Sequence, residues 1–231
     1  MDTNYHESEK NLFLKKFEKK AKKLGMKSVG YAKIPPKVAK KKGLKYDAAI
    51  VMTIKIGDEI IKESPSAKAK IMNSSLYEKL KEIAFILSKY LEENGQSAEV
   101  VVPNEKLLNL PILAQKAGLG YIGKNKLLIT PNLGPAVKIS AILTDIENLP
   151  FSKENKYSWI KNYCEECEEC IEKCEEGSLT KDKYDLQKSY FDSEKCIASL
   201  QACTYCIVKC PFYIEGYSQI MKKMLGKKTN R

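Results

Sequence analysis

The chain has 231 residues, enough to bury one sizeable core and a small appendage. Its formal net charge of +11 comes almost wholly from lysine, because Arg231 is the only arginine, and lysine lacks the planar fork that recognises phosphate or guanine in a bidentate way. The single histidine, His6, excludes histidine triads and paired-histidine metal sites. No apolar run approaches the roughly 18 residues of a membrane span, and the polar N-terminus lacks the apolar stretch of a secretory signal. These features predict a cytoplasmic protein with no membrane segment.

The first third of the chain predicts helices and strands in alternation. An amphipathic pattern indicates a helix over residues 8–24, because apolar side chains recur on one face. Runs rich in β-branched residues indicate strands over 28–34 and 48–56. Residues 57–73 are polar and are expected to be irregular.

The pattern continues through the middle of the chain. A long helix is expected over 74–93, capped by one of the two serines at its start, and a strand over 98–102. A shorter helix is expected over 106–117, interrupted or bent near its proline, and two strands over 126–130 and 137–144. These elements predict helices packed on a mixed sheet through about residue 150.

All eight cysteines lie between residues 164 and 210. They read C-x2-C-x2-C-x3-C, then a lone cysteine, then C-x2-C-x3-C-P. The first run has the spacing of bacterial ferredoxins, in which the fourth cysteine ligates the other cluster of a pair. The array therefore predicts two [4Fe–4S] clusters.

Counting four thiolates per cluster divides the cysteines into two sets. Cluster 1 takes Cys164, Cys167, Cys170 and Cys210. Cluster 2 takes Cys174, Cys196, Cys203 and Cys206. Two zinc sites of four cysteines each are the main alternative, since paired C-x2-C steps also suit tetrahedral zinc. Disulfides are less favoured, because such spacing in a reducing compartment indicates metal binding.

Glutamates crowd the first cysteine run, with seven of them between residues 165 and 176. This acidic surface could dock a basic electron-donor protein, and its field would lower the reduction potential of a nearby cluster. The alternative is that these glutamates are simply exposed residues between buried thiolates.

Gly118, Gly120 and Gly123 match the G-x-G-x-x-G pattern of dinucleotide-binding folds. That mechanism requires a strand before the glycines and a helix after them, so that the helix N-terminus meets the pyrophosphate. Here the predicted order is helix first and strand second. The dinucleotide interpretation is therefore rejected.

The segment AGLGYIGKNKLLITPNLGPAVKISAILTD (117–145), followed closely by the cysteine array, resembles the epoxyqueuosine reductases, which group with corrinoid-dependent reductive dehalogenases. The resemblance implies an α+β fold. Residues 1–155 would form a nitroreductase-like α/β domain that holds cobalamin or another corrinoid, and 156–231 a ferredoxin-like double-cluster domain with a short C-terminal helix. In that family the corrinoid binds without a protein histidine ligand, which agrees with the absence of a usable histidine.

The resemblance also implies a set of corrinoid-binding residues, in which glycines let the backbone approach the cofactor and polar side chains reach its edge. The set is Gly118, Gly120, Tyr121, Gly123, Lys124 and Asn125. The alternative is a glycine-rich turn that only packs a helix on a sheet.

The catalytic motifs of the resembled family are altered here. Tyr77 is the one clear counterpart of the family's catalytic stretch and is the expected proton donor. The family's aspartate acid has no counterpart in 103–111, where Glu105 is the nearest carboxylate. We therefore do not expect an efficient epoxyqueuosine reductase.

These observations predict an iron–sulfur oxidoreductase that passes electrons through two [4Fe–4S] clusters to a corrinoid or a substrate in an adjacent cleft. The alternative is a non-enzymatic electron-transfer protein or reductase subunit that docks on a partner protein. Either function needs an electron-donor protein. An enzyme would act on a small molecule or, as a third expectation supported by the family and the lysines, on tRNA.

Overall fold

A computed structural model of the chain describes residues 3–101, 107–181 and 189–229. In these ranges the strands are β1 (Ser28–Lys33), β2 (Ala48–Lys55), β3 (Ala98–Val101), β4 (Tyr121–Ile122), β5 (Leu128–Ile129), β6 (Val137–Thr144), β7 (Leu179–Lys181) and β8 (Ser189–Phe191). The helices are α1 (Thr3–Lys23), α2 (Pro36–Lys42), α3 (Asp58–Glu63), α4 (Ala67–Glu93), α5 (Leu110–Lys116), α6 (Ile160–Glu166), α7 (Glu169–Glu172), α8 (Ala198–Gln201), α9 (Tyr205–Val208), α10 (Pro211–Ile214) and α11 (Tyr217–Thr229). The α+β class predicted from the sequence is confirmed.

The main sheet has the strand order β1-β2-β6-β3, and every neighbouring pair is antiparallel. The expectation of a mixed sheet was therefore wrong. Side chains alternate between the two faces of a strand, and both faces of β2 are buried: Ile50 and Met52 pack in one core cluster, Ala49 and Val51 in another. A strand covered on both sides needs apolar residues at nearly every position, which explains the continuous run that predicted it.

Helices cover both faces of this sheet. Helices α1 and α4 pack on one face, through Phe17, Leu80 and Leu87 among others. Helix α5 packs on the other face through Leu113 and Ala114. The sheet-containing part thus has its own apolar core on each face of the sheet.

Helix α4 begins earlier than predicted. Its N-cap is Ser66, whose hydroxyl accepts a hydrogen bond from the backbone N–H of Ala69 at 3.0 Å, and the helix ends at Glu93 as expected. Residues 57–73 are consequently mostly helical, in α3 and the first turns of α4. The prediction of an irregular segment was wrong because polar residues surround a short apolar face, of which Ile60 and Ile61 are buried.

Helix α5 begins at Leu110 with Asn109 as its N-cap, whose side chain accepts a hydrogen bond from the Ile112 N–H at 3.2 Å. The predicted bend near Pro111 is absent, because this proline lies in the first turn of α5, where its missing N–H costs nothing. The helix precedes the glycine segment, β4 lies within that segment and β5 follows it, which confirms the order of helix first and strand second used to reject a dinucleotide site.

Residues 156–181 and 189–229 contain helices, most of them of four to seven residues, and the paired strands β7 and β8. They dock on the sheet-containing part through polar contacts at the start of α4. The Ser66 N–H donates to the Gln201 carbonyl at 3.1 Å, and the Ser64 hydroxyl donates to the Ala202 carbonyl at 2.7 Å. The Thr204 hydroxyl lies 2.9 Å from that of Ser64. This junction fixes the cysteine loop that follows α8.

A membrane-crossing helix is not found in the described ranges, where every helix is too short or too polar for that role.

Candidate functional site

The first cysteine set surrounds a small cavity. Its lining includes Cys164, Cys167, Cys170 and Cys210. Cys164 lies on α6, Cys170 in α7, and Cys210 is the N-cap of α10. Tyr163 and Phe212, whose ring centroids lie 5.1 Å apart, form an aromatic wall on the same cavity.

The second cysteine set surrounds a larger cavity of about 310 Å³. Its lining includes Cys174, Cys196, Cys203 and Cys206. The structure therefore brings together the same two groups of four that ligand counting assigned to clusters 1 and 2. Ligation of a cluster by each group remains a prediction.

The two cavities are neighbours. Asn125 lines both of them, and Cys206 in the second lies close enough to Cys170 in the first for their charges to interact. In the described ranges, no three His, Cys, Asp or Glu side chains converge tightly enough to hold a single metal ion. The thiols instead line the two cavities, four thiols around each one.

Burial raises the pKa of six of these thiols. The pKa of Cys164 rises to about 11, and those of Cys170, Cys206 and Cys210 rise to about 12, in each case chiefly through desolvation. Thiolates are the metal-binding form, so loading a metal must release protons from these groups.

The turn between β4 and β5 lies between the two cavities. The Lys124 ammonium, 7% exposed, donates to the Glu165 carbonyl at 3.0 Å. The Asn125 side-chain amide donates to the Cys206 carbonyl at 3.3 Å. Both side chains therefore bind the cysteine segments. The expectation that Lys124 and Asn125 reach a corrinoid remains a prediction.

The glycines before this turn pack against the chain itself. A Cβ at Gly120 would lie 2.2 Å from the Ile129 carbonyl oxygen, and one at Gly123 would lie 2.6 Å from the Ile129 Cδ1. Gly118 has a φ of +71°, and a Cβ there would lie 2.9 Å from the Ser152 hydroxyl. Tyr121 packs in the small core beside the first cavity. These contacts agree with the alternative in which the glycine-rich turn only packs elements of the fold together. A cofactor role for these residues remains a prediction.

Tyr77, on α4, lies where the second cavity meets an open groove of about 480 Å³. The Lys138 ammonium donates to the Tyr77 hydroxyl at 3.0 Å and lies 4.6 Å from the ring centroid. Leu127 and Val137 line both spaces as well. The groove thus adjoins the cavity of the second cysteine set, and the hydrogen-bonded side chains of Tyr77 and Lys138 lie where the two spaces meet.

Lys138 was missed by sequence reasoning. It stands opposite Ile54 in the β2–β6 register, on the sheet face that α4 covers. The available signal was that this lysine is the single charged residue of the strand Val137–Thr144. The other proposed acid, Glu105, lies outside the described residues.

Comparison with known proteins shows homology to two groups of reductases. A tetrachloroethene reductive dehalogenase from Dehalobacter restrictus is 31% identical over 159 residues, which are 69% of this chain and 28% of that protein. An epoxyqueuosine reductase from Listeria monocytogenes is 30% identical over 112 residues, which are 48% of this chain and 24% of that protein. The chain therefore matches less than a third of the length of either relative. No family model matches it.

The fold is also found in solved structures. A catabolic reductive dehalogenase superposes with a TM-score of 0.68 at 21% identity, covering 86% of this chain and 32% of that one. This similarity concerns the fold, and the sequence relatives carry the homology.

Proposed function

We propose that this chain, whose homologues are reductive dehalogenases and epoxyqueuosine reductases, is an iron–sulfur oxidoreductase. Two [4Fe–4S] clusters, held by the two cysteine sets, would deliver electrons to a corrinoid or a substrate in the adjoining groove. Residues 1–155 would correspond to a nitroreductase-like domain and 156–231 to a ferredoxin-like module. An electron-donor protein would reduce the clusters.

The observation that carries this proposal is the pair of neighbouring cavities, each lined by four cysteines. A thiolate-only donor set suits iron–sulfur clusters, which are held by four cysteines each. The cysteines of each set come from separate helices and loops, so a group bound among them would join those segments. The match between four cysteines per cavity and four ligands per cluster supports a cluster at each site.

The groove beside Tyr77 is the proposed site of the reaction. Its walls include Leu108, Leu110 and Ile139, so it suits an apolar ligand, and its volume lies within the range of small-molecule sites. When bound, the clusters would supply electrons one at a time and a corrinoid would supply a strongly reducing metal to the substrate.

Tyr77 is the proposed proton donor. Reductive removal of a leaving group breaks one bond to carbon and forms one C–H bond, which consumes two electrons and one proton while the leaving group departs with an electron pair. The Tyr77 hydroxyl would supply the proton. The Lys138 ammonium, which donates to that oxygen at 3.0 Å, would stabilise the phenolate that remains.

Metal analysis tests the proposal first. Anaerobically purified protein should contain about eight iron and eight sulfide ions per chain, four of each for every cluster. Zinc at about two per chain, with no sulfide, would refute it. Cobalt with corrinoid absorption bands would favour the enzyme, and iron and sulfide alone after incubation with cobalamin would favour the non-enzymatic carrier.

Two substitutions test the proton donor. Tyr77→Phe should lower turnover of a reducible organohalide by about 10²-fold or more, the usual contribution of a general acid, without changing iron content. Lys138→Met should lower turnover as well. Tyr190→Phe, which removes the hydroxyl of a tyrosine that is 59% exposed, is the matched control. Unchanged turnover in Tyr77→Phe would assign the proton to another group.

A further inference from the structure

The Lys124 side chain is buried beside the first cysteine cavity. Its ammonium lies 3.0 Å from the Glu165 carbonyl oxygen and 3.8 Å from the nearer carboxylate oxygen of Glu168. The Lys124 side chain is 5% exposed, whereas that of Glu168 is 27% exposed. A buried cation in this position requires anions close by.

Glu168 compensates this charge only in part. Its other carboxylate oxygen pairs closely with Lys181, so the one carboxylate is shared between two ammonium groups. The Lys124 charge also acts on the sulfurs of Cys164, Cys167 and Cys170. The cavity that these thiols line is therefore where the remaining negative charge would be placed.

We infer that Lys124 is a positioning residue that raises the reduction potential of the cluster proposed at the first cysteine set. The inference rests on the proposed clusters. A cluster with four thiolate ligands is anionic and becomes more negative on reduction, so a buried cation stabilises the reduced state more than the oxidised state. Glu168, as a nearby anion, acts in the opposite direction.

The test is a redox titration of the anaerobic protein, followed by electron paramagnetic resonance, with iron and sulfide measured in each sample. Lys124→Gln should make reduction of one cluster about tenfold less favourable, a fall of about 59 mV for a one-electron couple, and leave the other cluster unchanged. Lys124→Arg keeps the charge and should stay within about twofold of the native value. Lys161→Gln removes a lysine that is 63% exposed near Glu165 and should change neither potential, since solvent screens its charge.

An intact cluster with an unchanged potential in Lys124→Gln would overturn the inference. If this variant does not assemble the cluster, Glu168→Gln decides: a raised potential of the same cluster supports the inference, and an unchanged one overturns it. Native protein without iron and sulfide would instead refute the proposed function, and this inference with it.

Discussion

The sheet-containing part, residues 12–101 and 107–151, and the cysteine part, residues 156–181 and 189–229, differ in how they bury apolar surface. The first part supplies all the buried residues of the two large core clusters on either face of the sheet. The second contributes to two small clusters, each completed by residues from the sheet-containing part: Ile129 in one, and Ile56, Ile60, Ile61 and Ala136 in the other. The cysteine half thus has little core of its own.

This difference indicates what holds each half in place. The first half has a large apolar core on each face of its sheet. The second half has helices mostly of four to seven residues, which are marginal unless something fixes them. Its fixed points are its polar contacts with the first half and the proposed clusters, whose binding free energy would also be folding free energy.

Removal of metal should separate the two halves most clearly. Chelation under reducing conditions should accelerate amide exchange throughout 156–181 and 189–229, while amides of β2 and β6 stay protected. The measurement is hydrogen exchange by mass spectrometry before and after chelation, with the sheet as internal control. Full protection of the cysteine half after metal loss would show that its small core suffices.

Single ligand substitutions should remove one cluster at a time. Cys210→Ser and Cys174→Ser should each lose about half of the iron, from the first and second cavity respectively. Cys210→Ser combined with Cys164→Ser should lose no more than Cys210→Ser alone, because both act on one site. Combining Cys210→Ser with Cys174→Ser should remove nearly all the iron. If the Cys210 and Cys164 double variant loses nearly all the iron, and the Cys210 and Cys174 double variant loses only half, the division of the cysteines into two sets is wrong.

Gly120→Ala should destabilise the link between the halves. The new methyl group would lie 2.2 Å from the Ile129 carbonyl oxygen, so the β4–β5 ribbon must shift, at a cost of about 1–3 kcal/mol in the free energy of unfolding. Gly226→Ala is the control: no atom lies within 4 Å of the added Cβ, and alanine favours the helix there. Urea unfolding measures both. An unaltered stability together with lost corrinoid binding would assign Gly120 to the cofactor instead.

Much of the sheet could be predicted from the sequence, because burial on both faces makes Ala48–Lys55 and Val137–Thr144 rich in apolar and β-branched residues. That each set of four cysteines lines one cavity could also be predicted, because the spacing matches that of two-cluster ferredoxins, and ligation of a cluster by each set stays a prediction. The antiparallel direction of every strand pair could not, because direction depends on long connections and not on the pattern within a strand.

The polar parts of the site were harder to predict. Lys138 and Tyr77 are 61 residues apart in sequence. They meet only because of the β6 register and the position of α4. The expected role of Lys124 at a cofactor stays a prediction, and its contact with the Glu165 carbonyl, 41 residues further along the chain, was not predicted. Such partners depend on tertiary packing, and no local spacing in the sequence encodes them.

The smallest predicted effect concerns the edge of the first half, where the start of β3 meets the end of β6. The Asp145 carboxylate accepts hydrogen bonds from the Ser97 N–H at 2.9 Å and from the Ser97 hydroxyl, which lower the pKa of this aspartate. A lowered pKa in the folded state adds stability above the unfolded-state pKa, near 3.9, and that stability is lost as pH falls through the folded-state value.

Ser97→Ala should therefore be less stable than the native protein at pH 7, by under about 1 kcal/mol because the pair is exposed, and the difference should shrink below about pH 4. Urea unfolding across this pH range measures it, and Ser97→Thr, which keeps the hydroxyl, should follow the native profile. A Ser97→Ala deficit that stays constant as pH falls would show that the hydroxyl acts independently of the Asp145 charge.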